Sequence, residues 1–121
     1  MNNVLLVFIG GGLGSVVRLG MAYLVGQNFK SIFPIATLCS NILSCIILAI
    51  VVGMLHEKLI LNNNLRMFLL VGFCGGFSTF STFSFETVEL LRSGNTMYAI
   101  GNILISVSVC ISLIYFMVRN V

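Results

Sequence analysis

The sequence predicts an all-α membrane protein, four transmembrane helices forming a single domain over residues 1–121. Three observations carry this. Of the residues, 59% are hydrophobic and 7% charged, where a soluble domain is about a quarter charged. The apolar residues gather in stretches of about 20, the length that crosses a bilayer as a helix. The connections between them are short and leave no room for a soluble catalytic head. The basic residues behind the net charge of +3 are scattered singly, with no stripe to follow a phosphate backbone, so no nucleic-acid partner is expected. Cys39, Cys45, Cys74 and Cys110 lie apart with no CxxC, and His56 is the one histidine. Buried free thiols are expected, not a disulfide framework or a zinc site.

The first span runs from Val4 to Gly26. Met1-Asn2-Asn3 lacks the basic start of a secretory signal, so this is expected to be a retained span. Gly10 and Gly14 form a GxxxG, which favours close helix packing; no strand precedes it, as a dinucleotide loop would need. Arg18 follows one turn later, where an unpaired cation costs at least about 2.5 kcal/mol. It must snorkel, pair or line water, and an anion attractor fits that position.

The second span, Ile32 to Leu55, opens with the only proline, Pro34, in its first turn, where the missing N–H costs little. Thr37 and Asn41 are four apart and share a face, with Ser40 beside them. An amide in hydrocarbon needs partners, so Asn41 either joins helices or walls a pore.

The third span, Leu65 to Phe85, holds the densest signal, Gly72-Phe73-Cys74-Gly75-Gly76-Phe77-Ser78-Thr79-Phe80-Ser81-Thr82-Phe83-Ser84-Phe85. Such a run predicts a helix broken near Gly75-Gly76. Freed carbonyls at membrane depth must be buried in protein, face water or hold a cation. Phe77, Phe80 and Phe83 recur every third residue, with Ser81 and Thr82 on adjoining faces. Hydroxyls donate to anions and a phenyl edge is positive; together they replace part of a small anion's hydration shell. The competing expectation is that each hydroxyl bonds a carbonyl four residues back. Glu86 and Glu89 are expected to close the span at the interface, with a vestibule as the alternative place for Glu86.

The fourth span, Thr96 to Val118, carries two polar tracks, Asn102 with Ser106 and Ser108 with Ser112. The connections are Gln27 to Ser31, His56 to Asn64 and Glu86 to Asn95, with His56 solvated. Lys58, Arg66 and Arg119 fall on the side of the termini and Lys30 and Arg92 on the other, a weak positive-inside bias. Such a chain is expected to insert both ways, letting opposed copies pair about an axis in the membrane plane.

These residues resemble the Fluc or CrcB-type fluoride channels, small bacterial plasma-membrane proteins of four spans. The likeness lies in Gly11-Gly12-Leu13-Gly14-Ser15-Val16-Val17-Arg18, in Thr37-Leu38-Cys39-Ser40-Asn41 and in Gly72 to Phe83. It implies an antiparallel dual-topology dimer with two pores, through which fluoride leaves the cytoplasm passively and selectively, lowering its toxicity. It further implies that Phe80 and Phe83 flank the fluoride path, that Asn41 is its amide donor and that Ser81 and Thr82 supply hydroxyls. By the same likeness, the Gly75 and Ser78 carbonyls of both subunits hold a structural Na⁺, Arg18 lies near the entrance, and Asn102 and Ser106 join the path with Thr37. Ala36 stands where the family commonly has glycine, and Cys39-Ser40 replaces an aliphatic pair; neither removes a pore donor. Some members pair dissimilar subunits; Asn41, Phe80 and Phe83 together in one chain argue for a homodimer.

An ion-coupled exporter needs an intramembrane carboxylate, whereas Glu57, Glu86 and Glu89 are all expected at span ends. A packing subunit explains Gly10 to Gly14 but not Gly75 to Phe83. No nucleophile, base and orienter set is present for an enzyme.

Overall fold

The computed structural model describes residues 2–121, which are helical apart from short connections. Helix α1 spans Asn3–Asn28 and starts where the Asn2 side chain accepts from the Val4 N–H at 2.8 Å, satisfying one of the free donors of a first turn. Helix α2, Ile35–Leu61, follows Pro34 and bends at Leu55, whose φ and ψ are −115° and 18°. The third span is built in pieces: α3, Asn63–Arg66; a π-helical segment, Met67–Cys74; α4, Gly75–Phe77; and α5, Phe80–Arg92. Gly94, at φ 82°, turns the chain into α6, Thr96–Val118. Four helical stretches are long and apolar enough to cross a membrane: Asn3–Asn28, Ile35–Leu61, Asn63–Arg92 and Thr96–Val118. The chain is a multi-pass membrane protein.

Three expectations need correction. The second span does not end at Leu55; α2 runs on through His56, Glu57 and Lys58, and Asn62 alone separates it from α3. The Leu55 bend lets the extension stay helical, and Asn62 then caps α3 by accepting from the Leu65 N–H at 3.1 Å. The third span does break, but Gly75 and Gly76 are helical. The extended residues are Ser78, with ψ 157°, and Thr79, with ψ 121°. Nor does Glu86 end its helix, since α5 continues to Arg92.

Gly76 serves close approach instead. Helix α1 packs chiefly on the π segment and α4, with backbone against backbone. A Cβ on Gly10 would meet the Phe68 carbonyl oxygen, one on Gly14 the Phe73 carbonyl oxygen and one on Gly76 the Gly11 carbonyl oxygen. Each i→i+5 turn of the π segment takes in one residue more than an α turn, which shifts the face presented beyond it. The opposite flank is covered by α2 and α6 packed together.

The two ends of the bundle are marked by contacts. At one, Asn63 Nδ2 donates to Asn3 Oδ1 at 3.0 Å, and a Cβ on Gly53 would lie 3.8 Å from the Met117 carbonyl oxygen. At the other, the Phe33 and Tyr98 rings sit 6.3 Å apart. Both chain termini therefore share one end, with Lys58, Arg66 and Arg119.

Candidate functional site

The break in the third span is held open by one side chain of α2. The Thr79 N–H donates to Asn41 Oδ1 at 2.7 Å, and Asn41 Nδ2 donates to the Thr79 carbonyl at 3.2 Å. Asn41 thus satisfies both backbone groups of Thr79, which the break strips of helical partners, as buried backbone requires. Its amide has two N–H groups; one has no partner among the described residues, and Asn41 lines a cavity. Thr79 Oγ1 accepts from the Thr82 N–H at 3.2 Å, which caps α5 and restarts the helix.

Two cavities border this clasp, and a third shares a lining residue with one of them. The first, about 280 Å³, is lined by Asn41, Thr79, Phe80, Phe83 and Ser106, with Cys45 and Cys110 one turn further along α2 and α6. The second, about 240 Å³, shares Thr79 and adds Arg18, Thr37, Ser40, Thr82 and Glu86. The third, about 400 Å³, shares Glu86 and reaches Phe33, Pro34 and Glu89 beside the connection between α1 and α2.

The aromatic pair has two environments. The Phe80 and Phe83 rings are 5.6 Å apart, yet Phe83 is 8% exposed and Phe80 78%. Phe77 is buried on the near side of the break and lines none of the three cavities. Ser81 is exposed, 3.4 Å from Thr79 Oγ1. Asn102 is buried, where its Nδ2 donates to Thr87 Oγ1 at 2.9 Å and its Oδ1 accepts from Ser106 Oγ at 3.3 Å. Only Ser106 of that pair reaches a cavity.

Local back-bonding accounts for Ser78, Ser84 and Thr87, whose hydroxyls donate to the carbonyls of Cys74, Phe80 and Phe83 at 3.0, 2.9 and 2.8 Å. Thr79, Ser81 and Thr82 escape it, and these are the hydroxyls at or just beyond the break. No donor reaches the Gly75 or Ser78 carbonyl among the described residues.

Arg18 is half-buried and faces the second cavity with no ion pair; among the described residues the one salt bridge joins Arg92 to Glu89. Glu86 lies opposite. Its Oε1 accepts from Thr37 Oγ1 at 2.8 Å, while its Oε2 is buried with no partner among the described residues. Of the two places expected for it, Glu86 therefore takes the cavity-lining one.

Thr79 and Ser44 were not singled out by sequence. Ser44 is buried and donates to the Cys74 carbonyl at 3.0 Å. Both had signals: Ser44 continues the Thr37, Ser40, Asn41 face at helical spacing, and a threonine before a new helix is a favoured cap.

A family model described as CrcB-like protein, Camphor Resistance (CrcB), matches residues 5–118. The chain belongs to this CrcB-like family. Relatives each named "Fluoride-specific ion channel FluC" match over most of their length. One from Azobacteroides pseudotrichonymphae is 40% identical over 88% of this chain and 86% of its own. One from Coxiella burnetii, strain CbuK_Q154, is 42% identical over 91% and 90%, and one from Pyrococcus abyssi 40% over 95% and 92%. The match to the CrcB-like model takes in all four spans, including the Asn41 clasp and the broken third span.

Proposed function

We propose that this chain is a fluoride-selective channel for passive export, and not an enzyme. The observation that carries it is the Asn41 clasp: it presents a spare amide N–H, the Phe80 and Phe83 rings and the Ser106 hydroxyl to one cavity. The relatives' printed name supplies the ion. Neutral N–H and O–H donors and phenyl edges suit a small anion that must enter and then leave, since a fixed cation there would hold it. Arg18, at the second cavity, draws anions toward the path without contacting them at its narrow part.

In this reading the chain works as an antiparallel homodimer. Support comes from the exposure of Gly75, Phe80 and Ser81, and from the near balance of Lys and Arg between the two ends. The free Gly75 and Ser78 carbonyls fit a shared Na⁺, which would supply positive charge to bind the two broken helices together.

Glu86 favours one second reading. A partly buried carboxylate is what a proton-coupled exporter needs. One experiment separates the two: fluoride efflux from proteoliposomes of the purified protein, read with a fluoride electrode, with a chloride control and no proton or sodium gradient. The channel reading expects fluoride release without chloride release. Release that appears only with a proton gradient would establish the exporter, and silence in both would point to a dissimilar partner subunit.

A further inference from the structure

The cavity that holds Asn41, Phe80, Phe83 and Ser106 is also lined by two thiols that the channel reading leaves unused. Cys45 stands four residues after Asn41 on α2, and Cys110 four residues after Ser106 on α6. Each therefore continues its own polar track by one helical turn. Both side chains line this one cavity, and both are half-buried and free. Cys39 is absent from that lining, and so is the buried Cys74.

Two sulfurs with no third ligand define the ion they suit. No group of three or more His, Cys, Asp or Glu able to hold a metal exists among the described residues, which argues against zinc, whose sites take three or four protein ligands. Thiolates are soft donors and select soft metals. A soft dication bound by two thiolates is neutral overall, and neutrality matters where a net charge in hydrocarbon costs several kcal/mol. We propose that Cys45 and Cys110 form a two-coordinate site for a soft thiophilic dication, and that an ion bound there closes the anion route beside Phe83. Each thiol releases its proton to buffer as its sulfur–metal bond forms, so the step needs no oxidant. The closure rests on the channel reading above; the binding site does not.

Mercuric ion alone, given as its acetate, is the probe. At one equivalent per chain in proteoliposomes, fluoride efflux is expected to fall by about tenfold or more and to return on adding dithiothreitol. Bound mercury, measured by elemental analysis after gel filtration, should be one per chain. Cys45→Ser and Cys110→Ser should each lose both the block, scored against that variant's own untreated rate, and the stoichiometric mercury. Serine is nearly the same size, and hydroxyls already line this wall. Cys39→Ser and Cys74→Ser should keep both. A block that survives the Cys45→Ser/Cys110→Ser double variant, or that disappears with Cys39 or Cys74 instead, would overturn the proposal. So would stoichiometric mercury on the wild-type chain with efflux untouched. If the untreated protein passes no fluoride, the channel reading fails while the mercury count still decides the site: loss of bound metal in both single variants supports it, and unchanged binding refutes it.

Discussion

Before its break, the third span meets α1 backbone to backbone through Gly10, Gly14, Gly72 and Gly76. After it, α5 turns Phe80, Thr82 and Phe83 toward cavities and keeps its distance from α1. Glycine is confined to the first half, as Gly72, Gly75 and Gly76, and the hydroxyls to Ser78 and beyond, while phenylalanine is common to both and does not separate them. Hydrogen bonding does. In the first half, the Cys74 carbonyl is satisfied inside the protein, accepting from both Ser44 and Ser78. At and just beyond the break, Thr79 and Asn41 satisfy each other and leave an amide hydrogen and the Thr82 hydroxyl uncommitted. A rigid seam on one side makes possible an open polar wall on the other, because loose backbone at membrane depth is tolerated only when something holds it.

Breaking the seam should have the largest effect. Gly14→Val places a side chain against the Phe73 carbonyl and the Phe77 N–H. Overpacking of this kind costs about 1–3 kcal/mol and occasionally more, and here the neighbour that must yield is backbone. The expected outcome is loss of monodisperse protein in detergent, and a normal elution profile with unchanged thermal unfolding would contradict the backbone seam.

Phe83 and Phe80 sharpen the contrast within the open half. Phe83→Ala removes a ring that is 8% exposed and should cost about 3–5 kcal/mol of stability along with flux. Phe80→Ala, at 78% exposure in the single chain, should lower stability by less than about 1 kcal/mol and still abolish fluoride efflux. Equal thermal shifts for the two variants would show that the rings do not differ as described.

Asn41 joins the two regions. Asn41→Ala leaves the Thr79 N–H and carbonyl unpaired, at about 1–3 kcal/mol for a buried polar group. Asn41→Asp keeps the acceptor for the Thr79 N–H but loses the amide donor and adds a negative charge to the cavity. The aspartate variant should be the more stable of the two by thermal unfolding and equally silent in efflux; anion flux through it would show that the spare N–H is dispensable.

The smallest effects belong to hydroxyls outside the clasp. Ser15→Ala removes a long hydrogen bond to the Gly76 carbonyl, 3.4 Å, and should cost about 0.5 kcal/mol or less. Ser108 and Ser112 lie on an exposed face and line none of the three cavities. Alanine at either should leave efflux unchanged, whereas Ser106→Ala should reduce it. Equal flux loss at Ser106 and Ser108 would mean that the cavity does not mark the path.

How much of this could be read without coordinates varies by residue. The four spans follow from hydropathy and length, and Gly10 with Gly14 correctly indicates close packing. The broken helix was legible too, but its position was not. Glycine weakens a helix by flexibility, and that pointed to Gly75-Gly76. The break falls at Ser78-Thr79 because Asn41, from another helix, replaces the lost backbone partners there. Phe77, Phe80 and Phe83 look equivalent by spacing, yet the break between Phe77 and Phe80 puts them on different sides of the structure. Glu86 looked like a span end because charge is expected at the interface; Thr37, 49 residues away in sequence, accommodates it at the second cavity.

The sequence by itself determined that this chain spans a membrane four times, that its first and third spans pack closely, and which family it resembles. These follow from local composition and order, since each helix satisfies its own backbone in lipid. Tertiary structure alone decided which hydroxyls are spent on neighbouring carbonyls and which face a cavity, where the third span breaks, and that Cys45 and Cys110 line one cavity with Asn41 and Ser106. Those outcomes turn on partners between helices distant in sequence, and a hydrogen bond's donor can be named from a residue type while its acceptor is known only once the helices are side by side.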